Sequence, residues 1–300
     1  MRKKLSSSNI LVVGLARDCA SSIEKDIQKI DLAFTKAAST NWLIIESDSK
    51  DKTLDRLKKI CSHPNKDFIS MGNLQPKYSK RTERIALCRN KYLDEIKINP
   101  KYGNIDYIAV ADLDGINTKL TSEAVKTCWH LDEEWDACFA NQTEAYYDIW
   151  ALRHKVWSPN DCWEQYKFLI SSGKSNYEAL NSAVYSRMIK INKNSKPIQV
   201  DSAFGGLGIY KKNIFTQSSY VGIKKYGDEI CEHVTFHKNL CRNGYKLFIA
   251  PKLLNSGWNE HNRVLRFEYK VISMLKRTII SLLKLFLSEQ TLRNLKNKFK

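Results

Sequence analysis

A chain of 300 residues is long enough for one large domain or two small ones, and an apolar content of 43% provides for a substantial core. The eight cysteines include no C-x-x-C pair and the chain is not a small secreted scaffold, so we interpret them as reduced thiols of a cytosolic protein. The formal net charge of +17 would suit a nucleic-acid binder, but the sequence has no helix-turn-helix, zinc-finger or RNP pattern, and no uncharged apolar run approaches the roughly 20 residues of a membrane span.

Strand-like and helix-like segments alternate along the first 112 residues. Short apolar runs predict strands, and apolar residues at helical spacing, such as Ile23, Ile27 and Ile30, predict the helices between them. In chain order the segments are a strand at 9–16, a helix at 21–38, a strand at 41–47, helices at 51–61 and 81–96, and a strand at 106–112, with a later strand-like segment at 246–251. This alternation is typical of an α/β protein with a doubly wound, mostly parallel sheet.

Polar side chains follow three of the predicted strands. They are Arg17 and Asp18 after the first strand, Glu46 and Asp48 after the second, and Asp112 and Asp114 at the end of the strand at 106–112. Ligands of doubly wound sheets bind beyond the carboxyl ends of the strands, so these three groups are expected to meet at one edge of the sheet.

Asp112 and Asp114 are the first candidate metal ligands. In extended backbone the side chains of residues i and i+2 point to the same side, and two carboxylates there repel each other unless a cation lies between them. Mg²⁺ or Mn²⁺ fits, because these ions combine few carboxylates with phosphate oxygens and water. Such an ion would neutralise the charge of a nucleoside-diphosphate leaving group, as in nucleotide-sugar glycosyltransferases with a D-x-D motif. The alternative is a solvated loop that contains two aspartates.

Arg89 is the second candidate. At 100° per residue it lies within the apolar stripe of its predicted helix, about 40° from Ile85. A buried guanidinium needs an anionic partner, which is either a structural carboxylate or a bound phosphate. Asn90 would add a hydrogen bond to a phosphate.

The last part of the chain is basic and amphipathic. Residues 261–300 hold ten Lys and Arg against two Asp and Glu, and their apolar residues fall on one helical arc opposite Lys270, Arg277 and Lys284. The segment 263–300 is therefore predicted to be a helical tail. It either lies on an anionic membrane surface or packs on the core of the protein itself.

Five segments together resemble the cryptococcal capsule mannosyltransferase family. They are "ESDSKDKT" (46–53), "RIALCRNKYL" (84–93), "AYYDIWALR" (145–153), "DSAFGGLGIY" (201–210) and "CEHVTFHKNLCRNGYKLFIAP" (231–251), in the order of that family. The resemblance implies a GT-A glycosyltransferase domain at 1–262, with a nucleotide-binding half at about 1–118 and an acceptor half at about 119–262. It also implies transfer of a hexose, such as mannose from GDP-mannose, in the synthesis of a cell-surface polysaccharide.

The resemblance also implies roles for individual residues on the donor side. Arg17, Glu46 and Asp48 would line the nucleoside pocket, Arg89 and Asn90 would face the diphosphate, Asp112 and Asp114 would hold the metal, and Gly205 and Gly206 would let the backbone approach the donor sugar. His261 would be a third metal ligand, or a histidine of a surface loop. The D-x-D motif is cleaner here than in the fungal family, and the N-terminal membrane anchor of that family is missing from this sequence.

On the acceptor side, the resemblance implies that Asp148, Trp150 and Arg153 bind the acceptor and that Glu232 lies over it. If the enzyme inverts the anomeric centre, a carboxylate must deprotonate the acceptor hydroxyl, and Glu232 is then the first candidate, before Asp201 and Asp148. If it retains the configuration, as the resemblance implies, Glu232 would orient the acceptor. The acceptor is expected to be a glycan or a lipid-linked sugar at the inner face of the cytoplasmic membrane.

Three other functions stay open at this stage. "DLDGIN" echoes the D-x-D-G-T opening of haloacid-dehalogenase-type phosphatases, although Ile116 stands at the Thr position and the motif does not follow a first strand. A basic nucleic-acid-binding protein and a catalytically silent membrane scaffold are the other two.

Overall fold

The computed structural model describes residues 2–266. The chain divides into two units, residues 1–258 and residues 259–300. In the second unit the described part holds one 3₁₀ turn, Arg263–Leu265. The predicted tail at 267–300 lies outside the described residues.

The first unit is built on one eight-stranded mixed sheet. In chain order its strands are β1 (Asn9–Ala16), β2 (Ser39–Glu46), β3 (Lys66–Ser70), β4 (Tyr107–Asp112), β5 (Ala137–Gln142), β6 (Ile198–Val200), β7 (Leu207–Lys211) and β8 (Leu247–Ser256). Their order in the sheet is β3-β2-β1-β4-β7-β5-β8-β6. Only β7 and β6 pair antiparallel with their neighbours, so the other six described strands run in one direction. The predicted mostly parallel sheet is confirmed.

Helices cover both faces of this sheet. They are α1 (Ile23–Ala33), α2 (Thr53–Ile60), α3 (Arg81–Ile98), α4 (Ser122–Trp129), α5 (Cys162–Ser171), α6 (Asn176–Ala183), α7 (Lys212–Phe215) and α8 (Glu232–Arg242). Alternate residues of β1 point to opposite faces, so Leu11 and Val13 join the core that contains α3 and α8, whereas Ile10 and Val12 join the core under α1, α2 and α4. Two separate apolar cores on one sheet are the mark of a doubly wound fold, which confirms that prediction.

Helix α1 is shorter than predicted, since it ends at Ala33 rather than at residue 38. The backbone N–H of Phe34 bonds to the carbonyls of Ile30 and Asp31, and the chain then turns toward β2. The stretch between β5 and β6, for which no element was predicted, holds the helices α5 and α6. No helix within residues 2–266 is both long enough and apolar enough to cross a bilayer.

Candidate active site

The crevice between β1 and β4 is the natural ligand site of this sheet. From β1 the chain adds β2 and β3 on one side and then β4 on the other, so the order of the strands reverses at β1. Ligands of open α/β sheets bind beyond the carboxyl ends of the strands at such a reversal. Asp112 is the last residue of β4 and is paired with Leu15 of β1, which places its carboxyl in this crevice.

Four carboxylates act on one another here. Burial and the negative charge of Asp114 raise the pKa of the Asp112 carboxyl to about 8, and Asp148 and Glu232 add to the effect. The guanidinium of Arg89 opposes it. About a third of the Asp112 side chain (35%) still reaches solvent, so the group is accessible from the crevice. The ionised form of Asp112 is therefore costly in the protein alone and would be favoured by a cation.

A buried aspartate of α1 accepts a hydrogen bond from the loop after β4. The Oδ2 atom of Asp26 accepts the Gly115 N–H at 3.1 Å, and the Oδ1 atom of Asp114 accepts the Ile116 N–H at 3.2 Å. Asp26 is only 6% exposed, and its burial raises its pKa. Sequence reasoning missed Asp26, although it lies on the same helical stripe as Ile23, Ile27 and Ile30, so the argument that found Arg89 would have found it too.

Arg89 is buried and its partners are carboxylates of the protein. Its Nε donates to Oε1 of Glu232 at 3.0 Å, and its Nη2 lies 3.8 Å from Oδ1 of Asp112. The guanidinium also lies over the rings of Phe204 and Tyr220, at 5.4 and 5.6 Å from their centroids. Of the two partners considered from the sequence, the structure thus shows the carboxylate; phosphate binding by Arg89 stays a prediction.

Glu232 is placed by the first turn of α8. It is the first residue of that helix and only 6% exposed. The positive end of a helix dipole stabilises a carboxylate at this position, and Arg89 supplies the opposite charge. Glu232 is thereby fixed beside Asp112 by a pair that joins α3 to α8.

The Gly205–Gly206 turn forms one wall of the crevice. Its φ angles are +68° and +86°, which favour glycine. The N–H of Gly205 donates to Oδ2 of Asp148 at 2.9 Å, and the carbonyl of Gly206 accepts the Asp112 N–H at 3.0 Å. The turn therefore links two of the four carboxylates.

Gly206→Ala is expected to destabilise the protein by about 2–4 kcal/mol, because φ strain of about 1 kcal/mol adds to overpacking of about 1–3 kcal/mol. A Cβ there would lie 2.7 Å from Cγ2 of Ile116 and 3.0 Å from the hydroxyl of Tyr147. Gly173→Ala is the matched control, because Gly173 has a φ of +84° and no atom within 4 Å of the added Cβ. Equal losses of unfolding free energy in urea for the two variants would contradict the packing argument.

The residues predicted for the nucleoside pocket lie at the carboxyl ends of β1 and β2. Arg17 is exposed, with its Nε 3.6 Å from Oδ2 of Asp18. Glu46 and Asp48 are buried and bond to the chain around them: Glu46 accepts the Ser49 N–H, and Oδ1 of Asp48 accepts the N–H groups of residues 74 and 75 at 2.8 Å each. Both carboxylates thus shape this loop, and their contact with a nucleoside stays a prediction.

The other predicted residues are placed as follows. The side chain of Asn90 exchanges two hydrogen bonds with the backbone of Tyr220, at 2.9 Å each. Arg153 and Trp150 both donate to Oδ2 of Asp161, at 2.8 and 3.1 Å, and Asp161 caps α5. These contacts tie Asn90, Arg153 and Trp150 to neighbouring segments of the protein.

Asp201 and His261 are the remaining predicted residues, and no contact described within residues 2–266 brings Asp201 to the cluster. Asp201 is exposed, and its backbone N–H bonds to the carbonyl of Arg153 at 2.8 Å. His261 belongs to the second unit, where its Nε2 lies 3.5 Å from Oε1 of Glu260. Their catalytic and metal-binding roles stay predictions.

Buried amides that were not anticipated join β4, β5, β7 and β8. Asn117 donates to the carbonyls of Asp112 and Gly206, and Asn255 donates to Oδ1 of Asn117 at 2.9 Å and to the Gly205 carbonyl at 2.7 Å. Gln142 donates to the Gly205 carbonyl and to Oδ1 of Asn255. Asn117 belongs to "DLDGIN" and so had a sequence signal, whereas Gln142 and Asn255 lie at strand ends that the sequence did not predict.

Asp112 and Asp114 fit a divalent metal by their chemistry. Both supply oxygen, and their repulsion shows in the raised pKa of Asp112. Among residues 2–266 no group of three or more His, Cys, Asp or Glu side chains is arranged to hold a metal. Two carboxylates are nevertheless enough for Mg²⁺ or Mn²⁺, because phosphate oxygens and water complete the coordination of these ions.

Comparison with known proteins gives similarity in structure only. No protein-family model and no curated protein sequence matches this chain. The structure is similar to the mannosyltransferase PcManGT from Pyrobaculum calidifontis in complex with GDP-Man and Mn²⁺, with a TM-score of 0.46, 13% identity, and coverage of 82% of this chain and 55% of that one. It is also similar to residues 1–349 of TarS from S. aureus in complex with UDP-GlcNAc, with a TM-score of 0.45, 9% identity, and coverage of 85% and 60%. The chain thus spans less than two thirds of these solved chains.

Proposed function

We propose that the chain is a metal-dependent glycosyltransferase of the GT-A type, which transfers a hexose from a nucleoside-diphosphate sugar to a glycan or a lipid-linked acceptor. One observation carries the proposal: Asp112 ends β4 at the reversal point of the sheet and Asp114 follows it two residues later, with two more carboxylates and one guanidinium around Asp112. A cluster with this excess of negative charge suits a cation that in turn holds a diphosphate.

In this proposal Asp112 and Asp114 hold Mn²⁺ or Mg²⁺, which when bound would offset the charge of the departing diphosphate. Asp26 supports the metal-binding loop through Gly115. Arg89 positions both Asp112 and Glu232, and in this proposal it also faces the diphosphate together with Asn90. Gly205 and Gly206 let the backbone pass close to the donor sugar.

Glu232 faces the acceptor in this proposal. Its Oε1 already accepts from Arg89 Nε, which fixes the direction of the carboxyl group. A carboxylate held in this way can orient an acceptor hydroxyl, as retention requires, or take its proton, as inversion requires. We favour retention, on the resemblance to the capsule mannosyltransferase family, and Asp148 then serves mainly to hold the Gly205 N–H.

The donor and the setting are part of the same proposal. GDP-mannose is the first donor to test, and a UDP-hexose is the second. The acceptor is proposed to be part of a cell-surface polysaccharide assembled on the cytoplasmic side of the membrane. The basic residues of 263–300 would draw the enzyme to anionic lipid.

A thermal-shift screen of nucleoside diphosphates and nucleotide sugars, with and without Mn²⁺, tests the proposal. We expect stabilisation by GDP or UDP that depends on Mn²⁺, because a ligand at 100 times its Kd adds about 2.7 kcal/mol to the folded state. Adenosine and cytidine diphosphates are the controls for selectivity. The absence of a shift with every nucleotide would count against a glycosyltransferase, and release of phosphate from a generic phosphoester would favour the phosphatase.

A further inference from the structure

Strands β5 and β8 both end in buried polar side chains that lack a hydrogen-bond partner. Among the described residues, these partnerless atoms include Oε1 of Gln142, Oγ1 of Thr143 and Oγ of Ser256. Gln142 and Ser256 are the last residues of β5 and β8, are paired with each other, and are 0% and 2% exposed. Buried polar atoms without partners cost about 1–3 kcal/mol each, so three at the ends of two neighbouring strands need an explanation.

A lysine lies over the same place. A Cβ built on Gly257 would stand 3.0 Å from Nζ of Lys119, 2.9 Å from its Cε and 3.3 Å from Oγ1 of Thr143. Glycine at 257 thus lets the ammonium group and the Thr143 hydroxyl group lie close to the backbone, where a larger residue would displace the lysine. The backbone N–H of Lys119 bonds to the Asn255 carbonyl at 2.8 Å, which fixes the start of this side chain.

The Gly205–Gly206 turn connects these atoms with the acidic cluster. Nε2 of Gln142 donates to the Gly205 carbonyl at 3.3 Å, while the next carbonyl, of Gly206, accepts the Asp112 N–H. Strands β4, β5 and β8 run in the same direction, so their carboxyl ends lie at one edge of the sheet. A ligand that begins at Asp112 and passes the two glycines would reach Gln142 next.

We propose that Gln142, Thr143, Ser256 and Lys119 form the subsite that binds the hydroxyl groups of the donor sugar. This assignment rests on the proposed function. Oε1 of Gln142 only accepts hydrogen bonds, so its partner must carry an O–H or N–H, which the ionised diphosphate of a nucleotide sugar and a carboxylate both lack. The two hydroxyls both donate and accept, and the ammonium donates to a hydroxyl oxygen, so together they match the vicinal hydroxyls of a sugar ring.

The exposed Lys119 side chain controls entry to this subsite. Its Cε and Nζ cover the space beside Gly257, and a lysine has the rotamer freedom to swing into solvent. In this proposal the sugar takes the place of the Lys119 ammonium group over Gly257. The displaced ammonium group then donates a hydrogen bond to the sugar from the edge of the subsite. The bound sugar would give the partnerless atoms their hydrogen-bond partners.

The test compares GDP with GDP-mannose, and UDP with a UDP-hexose, by calorimetry on the full chain in Mn²⁺. The variant is Thr143→Val with Ser256→Ala, which removes two hydroxyls without changing the backbone. We expect its affinity for the nucleotide sugar to fall about tenfold, since two net hydrogen bonds are lost, and its affinity for the nucleoside diphosphate to change less than about twofold. Its Tm should equal or exceed that of the wild type, because neither hydroxyl has a partner in the protein.

The matched control is Thr127→Val with Ser62→Ala, whose hydroxyls bond only to the carbonyls of Ala124 and Lys59. This control should leave all four affinities unchanged. Equal affinities for the nucleotide sugar in the wild type and the test variant would overturn the subsite. If the Tm of the test variant were also lower, the hydroxyls would bind structural water only. A loss confined to acceptor kinetics would assign them to the acceptor and also overturn it. A wild type that binds no nucleotide at all would instead reject the proposed function.

Discussion

Asp112→Asn is expected to lower kcat/KM for glycosyl transfer about 1,000-fold, which corresponds to about 4 kcal/mol of lost transition-state stabilisation. The same variant should be at least as stable as the wild type. Burial and the charge of Asp114 raise the pKa of Asp112 to about 8, so the ionised carboxyl is unfavourable in the folded chain. A catalytic defect combined with retained or increased stability would separate a metal ligand from a structural aspartate.

The stability advantage of Asp112→Asn over the wild type is expected to grow as the pH rises. A carboxyl whose pKa is raised on folding contributes stability below its unfolded pKa, near 3.9, and loses that contribution as pH rises through the folded value. The Tm of Asp112→Asn should therefore match that of the wild type near pH 4, exceed it increasingly up to about pH 8, and keep a constant advantage above that. Mn²⁺ should raise the Tm of the wild type and leave that of the variant unchanged.

Asp94→Asn is the control, because Asp94 is exposed on α3 and its replacement removes the same charge. It should change neither activity nor the response to Mn²⁺. Wild-type activity in Asp112→Asn would remove the basis of the metal site. A Tm advantage that does not vary between pH 4 and pH 8 would show that the carboxyl does not titrate in this range.

Arg89→Met is expected to lower the unfolding free energy by about 3–5 kcal/mol, because it leaves the buried carboxylate of Glu232 without its counter-ion. Both side chains are at least 92% buried, and Arg89 also approaches Asp112. Methionine keeps much of the volume and the apolar contact with Phe204, so the loss reports mainly on charge. Urea denaturation at pH 7.5 measures the change.

Two comparisons make this experiment specific. The double variant Arg89→Met with Glu232→Gln should recover much of the stability, since no unpaired charge stays buried. Arg56→Met breaks the exposed pair with Glu24, whose side chains are 47% and 41% exposed, and should cost about 1 kcal/mol or less. If Arg89→Met cost no more than Arg56→Met, the Arg89–Glu232 pair would not carry the charge balance of the site.

The sequence predicts this fold where a buried strand contains a long apolar run. Strands β1, β2 and β4 are continuous apolar runs, because helices cover both of their faces, and such runs are visible without a structure. Strand β3 lies at the sheet edge with no buried residue, and β7 is only five residues long. Neither has enough apolar pattern to be recognised.

The sequence predicts the site only where one element contains the signal. Asp112 and Asp114 are two residues apart at the end of one strand, and the burial of Arg89 follows from the spacing within its own helix. The partner of Arg89 is 143 positions away, and the contacts of Gln142 with Gly205 and Asn255 join segments 63 and 113 positions apart. Such pairings depend on how the chain is threaded through the sheet, which local spacing does not contain.

The position of β7 has a consequence for synthesis of the chain. Strand β7 lies between β4 and β5 in the sheet, but it is synthesised after both. The backbone edge of β4 that pairs with β7 therefore stays uncovered until Lys211 has left the ribosome. The sheet of the predicted nucleotide-binding half, about 1–118, is therefore completed only after much of the predicted acceptor half, about 119–262, has been made. A nascent chain halted before that point would carry a bare, apolar strand edge, which is the kind of surface that chaperones recognise.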